Sequence, residues 1–156
     1  MSRAFTKDDD TELALADIGE RPVSEARNLV TEEGLAHIER MVAELREEFA
    51  RAEGGQEREQ MALAARDLRY WQARRETAEL SVPGPDEKVV RFGMTVKVEN
   101  EDGKTVSWKI VGEDEADAGS GKISHVSPMA QALFGKAVGD VVTVNGKEWE
   151  IVGLHV

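Results

Sequence analysis

The chain has 156 residues and a formal net charge of −11, a length that suits one compact domain plus an appendage and a balance that argues against a freestanding duplex-DNA binder. It has no cysteine, hence no disulfide framework or thiol chemistry, and its three histidines leave little for general-base or metal work. No apolar run reaches membrane length, and the opening MSRAFTKDDD turns acidic where the apolar segment of a signal peptide belongs, so a cytoplasmic protein with protein partners and no membrane contact is expected.

Residues 1–30 carry Asp8, Asp9 and Asp10 in a row, few large apolar residues and Pro22, which reads as a flexible or draped acidic tail. A second reading docks Leu13, Leu15 and Ile18 on Leu63 and Tyr70. Residues 31–80 then read as an antiparallel coiled-coil hairpin. Thr31 suits a helix N-cap and Glu32 and Glu33 suit the positive helix end, while Gly34 is a poor helix former there. On the first arm Leu35, Ile38, Val42, Leu45, Phe49 and Ala52 step by three and four, the spacing of one helical seam. Met61, Ala64, Leu68, Trp71, Arg75 and Ala78 repeat the steps on the second arm. Arg75 is the misfit, and its stem is expected to lie along the seam with the guanidinium in water. Gly54-Gly55 is the place to reverse, and about 22 residues per arm give a prong of roughly 30 Å.

Glu47, Glu48, Glu53, Glu57 and Glu59 gather at or near the apex. They read as solvated helix-end charges, or as carboxylates for a divalent cation, since hard cations prefer oxygen ligands. Arg58, Arg66 and Arg69 fall within about an 80° arc away from the seam. That face either balances the glutamates of the first arm or touches phosphate oxygens.

The run Ser81-Val-Pro-Gly-Pro85 ends the second helix and places a linker at residues 81–88. From Val89 the period switches to two. Strands are expected over Val89–Phe92, Met94–Glu99, Thr105–Val111, Ile123–Val126, Val141–Val144 and Trp149–Leu154, with turns at Asn100–Gly103 and Asn145-Gly146. Ser127-Pro128 starts a short helix over Met129–Phe134 that Gly135 closes. The result is an α+β chain whose residues 89–156 form a domain of five or six antiparallel strands and one helix, with Phe92, Trp108, Phe134 and Trp149 as core.

Several motifs fail on inspection. Gly119-Ser-Gly-Lys122 lacks the first glycine and the final Ser or Thr of a phosphate-binding loop, so it reads as a turn. Glu113, Asp114, Glu115 and Asp117 lack calcium-loop spacing, and His125 has no partner histidine at ligand spacing. With no nucleophile in evidence either, no metal site and no self-contained enzyme are expected.

The run from Phe92-Gly93 to Val96, then Ile110 to Asp117, then Ser124 to Phe134, then Val138-Gly-Asp-Val141 resembles the C-terminal domain of the Gre transcript-cleavage factors, GreA and GreB. The resemblance covers nearly all of residues 89–156, and the opening MSRAFT looks closer to GreB-like members. It implies an FKBP-like fold for this domain behind a coiled-coil hairpin. It further implies a transcription elongation factor that docks at the secondary channel of bacterial RNA polymerase and acts on backtracked or paused complexes. On that reading Asp114, Glu115, Asp117, Ser127 and Pro128 face the polymerase, and Arg58, Arg66 and Arg69 hold the displaced RNA 3′ end. The chain itself is then a monomer and not an enzyme. At most it assists the polymerase's own RNA hydrolysis, with a magnesium ion shared at that active site and no cofactor of its own.

The apex departs from the family. Nothing between Glu47 and Met61 matches its tip loop, and the arms are two or three turns shorter, a loss of about 10–15 Å of reach. No catalytic residue carries over by position; Glu53, Glu57 and Glu59 are the candidates that remain. The alternatives are a channel-binding modulator without cleavage activity, an FKBP-like prolyl isomerase, and a self-associating coiled-coil adaptor. Fold alone does not grant isomerase activity.

Overall fold

The computed structural model describes residues 18–156; the readings placed on Asp8, Asp9, Asp10, Leu13 and Leu15 lie outside the described residues. The described chain divides into two units. Residues 18–25 join Ala36–Thr77 in the first, and Ala26–Leu35 join Ala78–Val156 in the second. Among the described residues no helix is long and apolar enough to cross a membrane.

Helices α1 (Glu32–Gly54, 23 residues) and α2 (Arg58–Thr77, 20 residues) make the hairpin. The reversal falls at Gly55-Gln56-Glu57. There the Gly55 N–H donates to the Arg51 carbonyl at 3.0 Å and the Glu57 N–H to that of Ala52 at 2.8 Å. Gly54 still belongs to α1, and Gln56, not a glycine, takes the left-handed conformation at φ 55°. The His37 and Trp71 rings meet edge-on at 5.3 Å. Since these residues are equidistant from Gly54 along the chain, the helices run antiparallel. Ile38, Val42, Leu45 and Ala52 are buried on α1 and Ala64 and Trp71 on α2, while Leu35, Phe49, Met61 and Leu68 are half-buried.

The expected arginine is the wrong one. Arg75 is exposed, and Arg74 is 1% exposed. Arg74 follows Asp67 and Tyr70 at steps of three and four, so it lies on a second stripe of α2 beside the main seam. That stripe is also covered, which a pattern read as a single seam does not show.

In the second unit, β3 (Thr95–Glu99), β4 (Thr105–Val111), β5 (Lys122–Ser124), β6 (Val141–Val144) and β7 (Lys147–His155) form one sheet in the order β5-β4-β3-β7-β6. The sheet is mixed, not purely antiparallel: β4 and β5 pair parallel. Residues 112–121 between them make two 3₁₀ turns, Glu113–Glu115 and Ala118–Ser120, and so return the chain to run beside β4 in the same direction. The segment Val89–Phe92 is not a strand. Only Val89 bridges to Ala137, because Gly93 at φ 87° and a turn closed from the Met94 N–H to the Arg91 carbonyl use the backbone otherwise. The Asn145-Gly146 hairpin forms as its residues demand, with φ of 53° and 76°.

The short helix α3 (Pro128–Leu133) covers the apolar face of the sheet. Val96, Val98, Ile110, Val142 and Ile151 alternate inward and meet Ala130, Leu133, Val90 and Phe92. Trp108 and Trp149 pack partly buried against this cluster. Phe134 is not core. At 53% exposure it lies just past the helix, its ring 5.3 Å from the Arg91 guanidinium, because Leu133 already fills the inward position.

Two glycines permit close approach in this unit. The Thr31 hydroxyl accepts from the Gly34 N–H at 3.0 Å, capping α1, and donates to the Glu115 carboxylate at 2.7 Å. A Cβ on Gly34 would stand 2.6 Å from Glu115 Oε2, which explains a poor helix former in the first turn. A Cβ on Gly112 would stand 2.4 Å from the Leu29 carbonyl oxygen. Leu29–Val30 (β1) pairs parallel with Glu79–Leu80 (β2), strands of two residues each that no periodicity reveals.

These contacts set two expectations for urea denaturation. Leu133→Ala lowers stability by about 2–5 kcal/mol, whereas Phe134→Ala changes it by less than about 1 kcal/mol. Gly112→Ala costs about 1–3 kcal/mol because the obstacle is backbone, while Gly54→Ala, with open space around it, leaves stability equal or raises it.

Candidate functional site

The apex acids stand where their positions in the hairpin put them. Glu53 is the penultimate residue of α1 and Glu57 and Glu59 flank the first residue of α2, all three exposed. Glu57 Oε1 lies against Gly55, 3.5 Å from where a Cβ would be, and negative charge beside the first turn of α2 is favoured by the helix dipole. Among the described residues no three Asp, Glu or His side chains converge as metal ligands. A divalent cation at this apex would therefore be held mainly by another molecule, with one or two of these carboxylates completing its shell.

The arginine face is a network with acids. Arg66 donates to Asp67 from Nε at 3.1 Å and pairs with it through Nη2 at 3.0 Å. Arg69 grips Glu20 with both Nε, at 2.9 Å, and Nη2. The Arg21 guanidinium lies 4.0 Å from the centroid of the Tyr70 ring and donates to Asp67 at 3.5 Å. Residues 18–25 thus hold α2 by side chains that composition had assigned to a tail. Arg58 is exposed at the start of α2.

In the second unit the acids 113–117 and the start of α3 both pack against β5. Ser127 caps α3 by accepting from the Ala130 N–H at 3.3 Å, with Pro128 exposed at the first helical position. Glu115 is half-buried and held by Thr31. Asp117 accepts from the Ser120 hydroxyl at 2.7 Å and pairs through its backbone with Lys122. Asp114 is half-buried beside them. His125 stacks edge-on against Phe92 at 5.6 Å, a structural role. A shallow cleft elsewhere in this unit is lined by Asn100, Glu101, Asp102, Gly146, Lys147 and Glu148, without an aromatic side chain.

Charge pairing moves protons in predictable directions. The hydrogen bond from Arg69, aided by the charges of Arg69 and Arg66, holds the Glu20 carboxyl below its ordinary value of 4.5. The Glu33 carboxyl is lowered first by its own backbone N–H and then by Lys109, 3.9 Å away. Because the Glu20 value is depressed, its contact with Arg69 is fully present above the ordinary value and is lost as pH falls through the lowered one. In an NMR titration of side-chain carboxyl carbons Glu20 should protonate below pH 4.5, and Arg69→Ala should return its midpoint to that value.

Comparison with known proteins adds an independent line. Residues 85–155 match the family model "Transcription elongation factor, GreA/GreB, C-term". The chain is 54% identical over 72 residues to the transcription elongation factor GreA of Thioalkalivibrio sulfidiphilus (strain HL-EbGR7), covering 43% of this chain and 45% of that protein. It is 50% identical over 71 residues to GreA of Methylobacterium sp. (strain 4-46), covering 42% and 45%. The chain thus spans less than half the length of these relatives. Among solved structures, that of GreA factor homolog 1 (Gfh1) of Thermus thermophilus aligns at 22% identity and a TM-score of 0.42, covering 84% of this chain and 100% of that one. Residues 85–155 of the chain are thus similar to the C-terminal domain of the GreA/GreB elongation factors.

Proposed function

We propose that the chain is a transcription elongation factor that binds bacterial RNA polymerase at its secondary channel and regulates backtracked or paused complexes. The observation that carries this reading is the family domain over residues 85–155, at about half identity to proteins named GreA. The helical hairpin supports it, because two antiparallel helices roughly 30–35 Å long are narrow enough to enter a channel. The polymerase-facing surface is the end of the sheet around β5. There Asp117 and Pro128 are exposed for contact, while Glu115 and Ser127 hold the local structure that presents them. The factor works as a cytoplasmic monomer and carries no catalytic machinery of its own.

Two modes are open to such a factor. In one, Glu53, Glu57 or Glu59 completes the shell of a magnesium ion at the polymerase active site and assists RNA hydrolysis there. In the other the hairpin occupies the channel and modulates the polymerase without cleavage. The length of the arms, 23 and 20 residues, favours the second mode, since each lost helical turn withdraws the apex by about 5.4 Å.

Purified backtracked elongation complexes distinguish these modes. The protein should bind them and alter their rate of restart. Short 3′ RNA fragments that disappear with Glu53→Ala or Glu57→Ala would assign the cleavage-assisting mode, and binding without fragments the channel-occupying one. Absence of binding to polymerase would overturn the proposal.

A further inference from the structure

We propose that Glu20 and Arg21 form a strap that occupies a nucleotide-binding position on α2, and that single-stranded RNA displaces it. The inference rests on the reading of the chain as a factor whose arginine face meets RNA, and adds to it a stacking position on Tyr70 and a device that covers both.

The geometry comes from two adjacent residues making two different kinds of contact. The Glu20 carboxylate presents both oxygens to the Nε and Nη2 fork of Arg69, the bidentate arrangement by which a guanidinium also takes two phosphate oxygens. Arg66 is near enough that its charge helps hold Glu20 ionised. One residue on, the flat Arg21 guanidinium lies 4.0 Å from the centroid of the Tyr70 ring and 5.8 Å from that of Trp71. An aromatic face that accepts a planar cation also accepts a stacked base, and stacking of this kind tolerates any base. An anion on Arg69 and a planar group on Tyr70, joined by a short backbone, match in type the phosphate and base of one nucleotide. The strap therefore imitates the ligand that it keeps out.

Its contacts are of a strength that permits exchange. The side chains of Arg69 and Glu20 are 54% and 66% exposed, and ion pairs this open to water contribute little. The Arg21 pair with Asp67 is long at 3.5 Å, and Asp67 is already engaged by Arg66. RNA arriving at a high local concentration can thus displace the strap without unfolding either helix, and free RNA in dilute solution meets a covered site.

Fluorescence anisotropy of a labelled eight-nucleotide oligouridylate with the full chain tests this at low salt. The double variant Glu20→Ala with Arg21→Ala leaves net charge unchanged, so a general electrostatic effect does not contribute. It should bind the probe about tenfold more tightly than the unaltered chain. Adding Tyr70→Leu, which keeps an apolar contact but removes the stacking face, should abolish most of the gain, and adding Arg69→Gln should do the same. Glu20→Gln alone should give a smaller gain, with thermal melts confirming that each variant is folded. Equal or weaker binding by the double variant overturns the proposal, as does a gain that survives Tyr70→Leu or is matched by an oligoglutamate probe. Polymerase binding is measured separately. Polymerase retention without a gain in RNA affinity sinks the strap alone, and a gain in RNA affinity without polymerase binding sinks only the reading of function.

Discussion

The hairpin exists because an apolar seam outweighs a crowded surface charge. Isolated helices of 23 and 20 residues with this many like charges would be marginal in water. Burial of Ile38, Val42 and Leu45 supplies roughly 1.5–3 kcal/mol for each side chain, while an exposed like-charge pair costs only a few tenths. Trp71 extends the seam on the returning helix and closes it edge-on against His37. With the core of the hairpin this thin, most of its surface is free to carry acids and arginines chosen for something other than stability.

The second unit depends on close backbone approach instead of seam length. Its sheet buries one face under a helix of six residues, and the remaining order comes from turns, caps and glycines. Thr31 shows the economy of this. One hydroxyl satisfies an orphan amide at the start of α1 and holds the carboxylate of Glu115, which sits where a side chain on Gly34 would stand. Glu115 therefore belongs to the framework even though its charge and its place among acids suggest a surface for a partner.

The arginines of α2 carry the same lesson in the opposite direction. By composition they form a basic stretch; in the fold Arg66 and Arg69 are answered by Asp67 and Glu20. The exposed pair of Arg69 with Glu20 does little for stability and chiefly masks charge at the surface. The covering of Tyr70 by Arg21 adds an aromatic face to that surface that a count of charges does not register.

Periodicity alone determined that there are two helices with facing seams, a reversal near Gly54, and a β-rich domain ending in an Asn-Gly hairpin. These follow from local rules, since three- and four-residue steps select a helix face and an Asn-Gly pair tolerates positive φ. The order of motifs from Phe92 to Val141 was enough to suggest the family. Tertiary structure alone decided the parallel pairing of β5, the exposure of Phe134, the burial of Arg74 rather than Arg75, and the engagement of Arg69 by Glu20. Each of these depends on packing in three dimensions that hydrophobic spacing along the chain does not specify. Arg69 and Glu20 stand 49 residues apart, and no local pattern encodes their meeting.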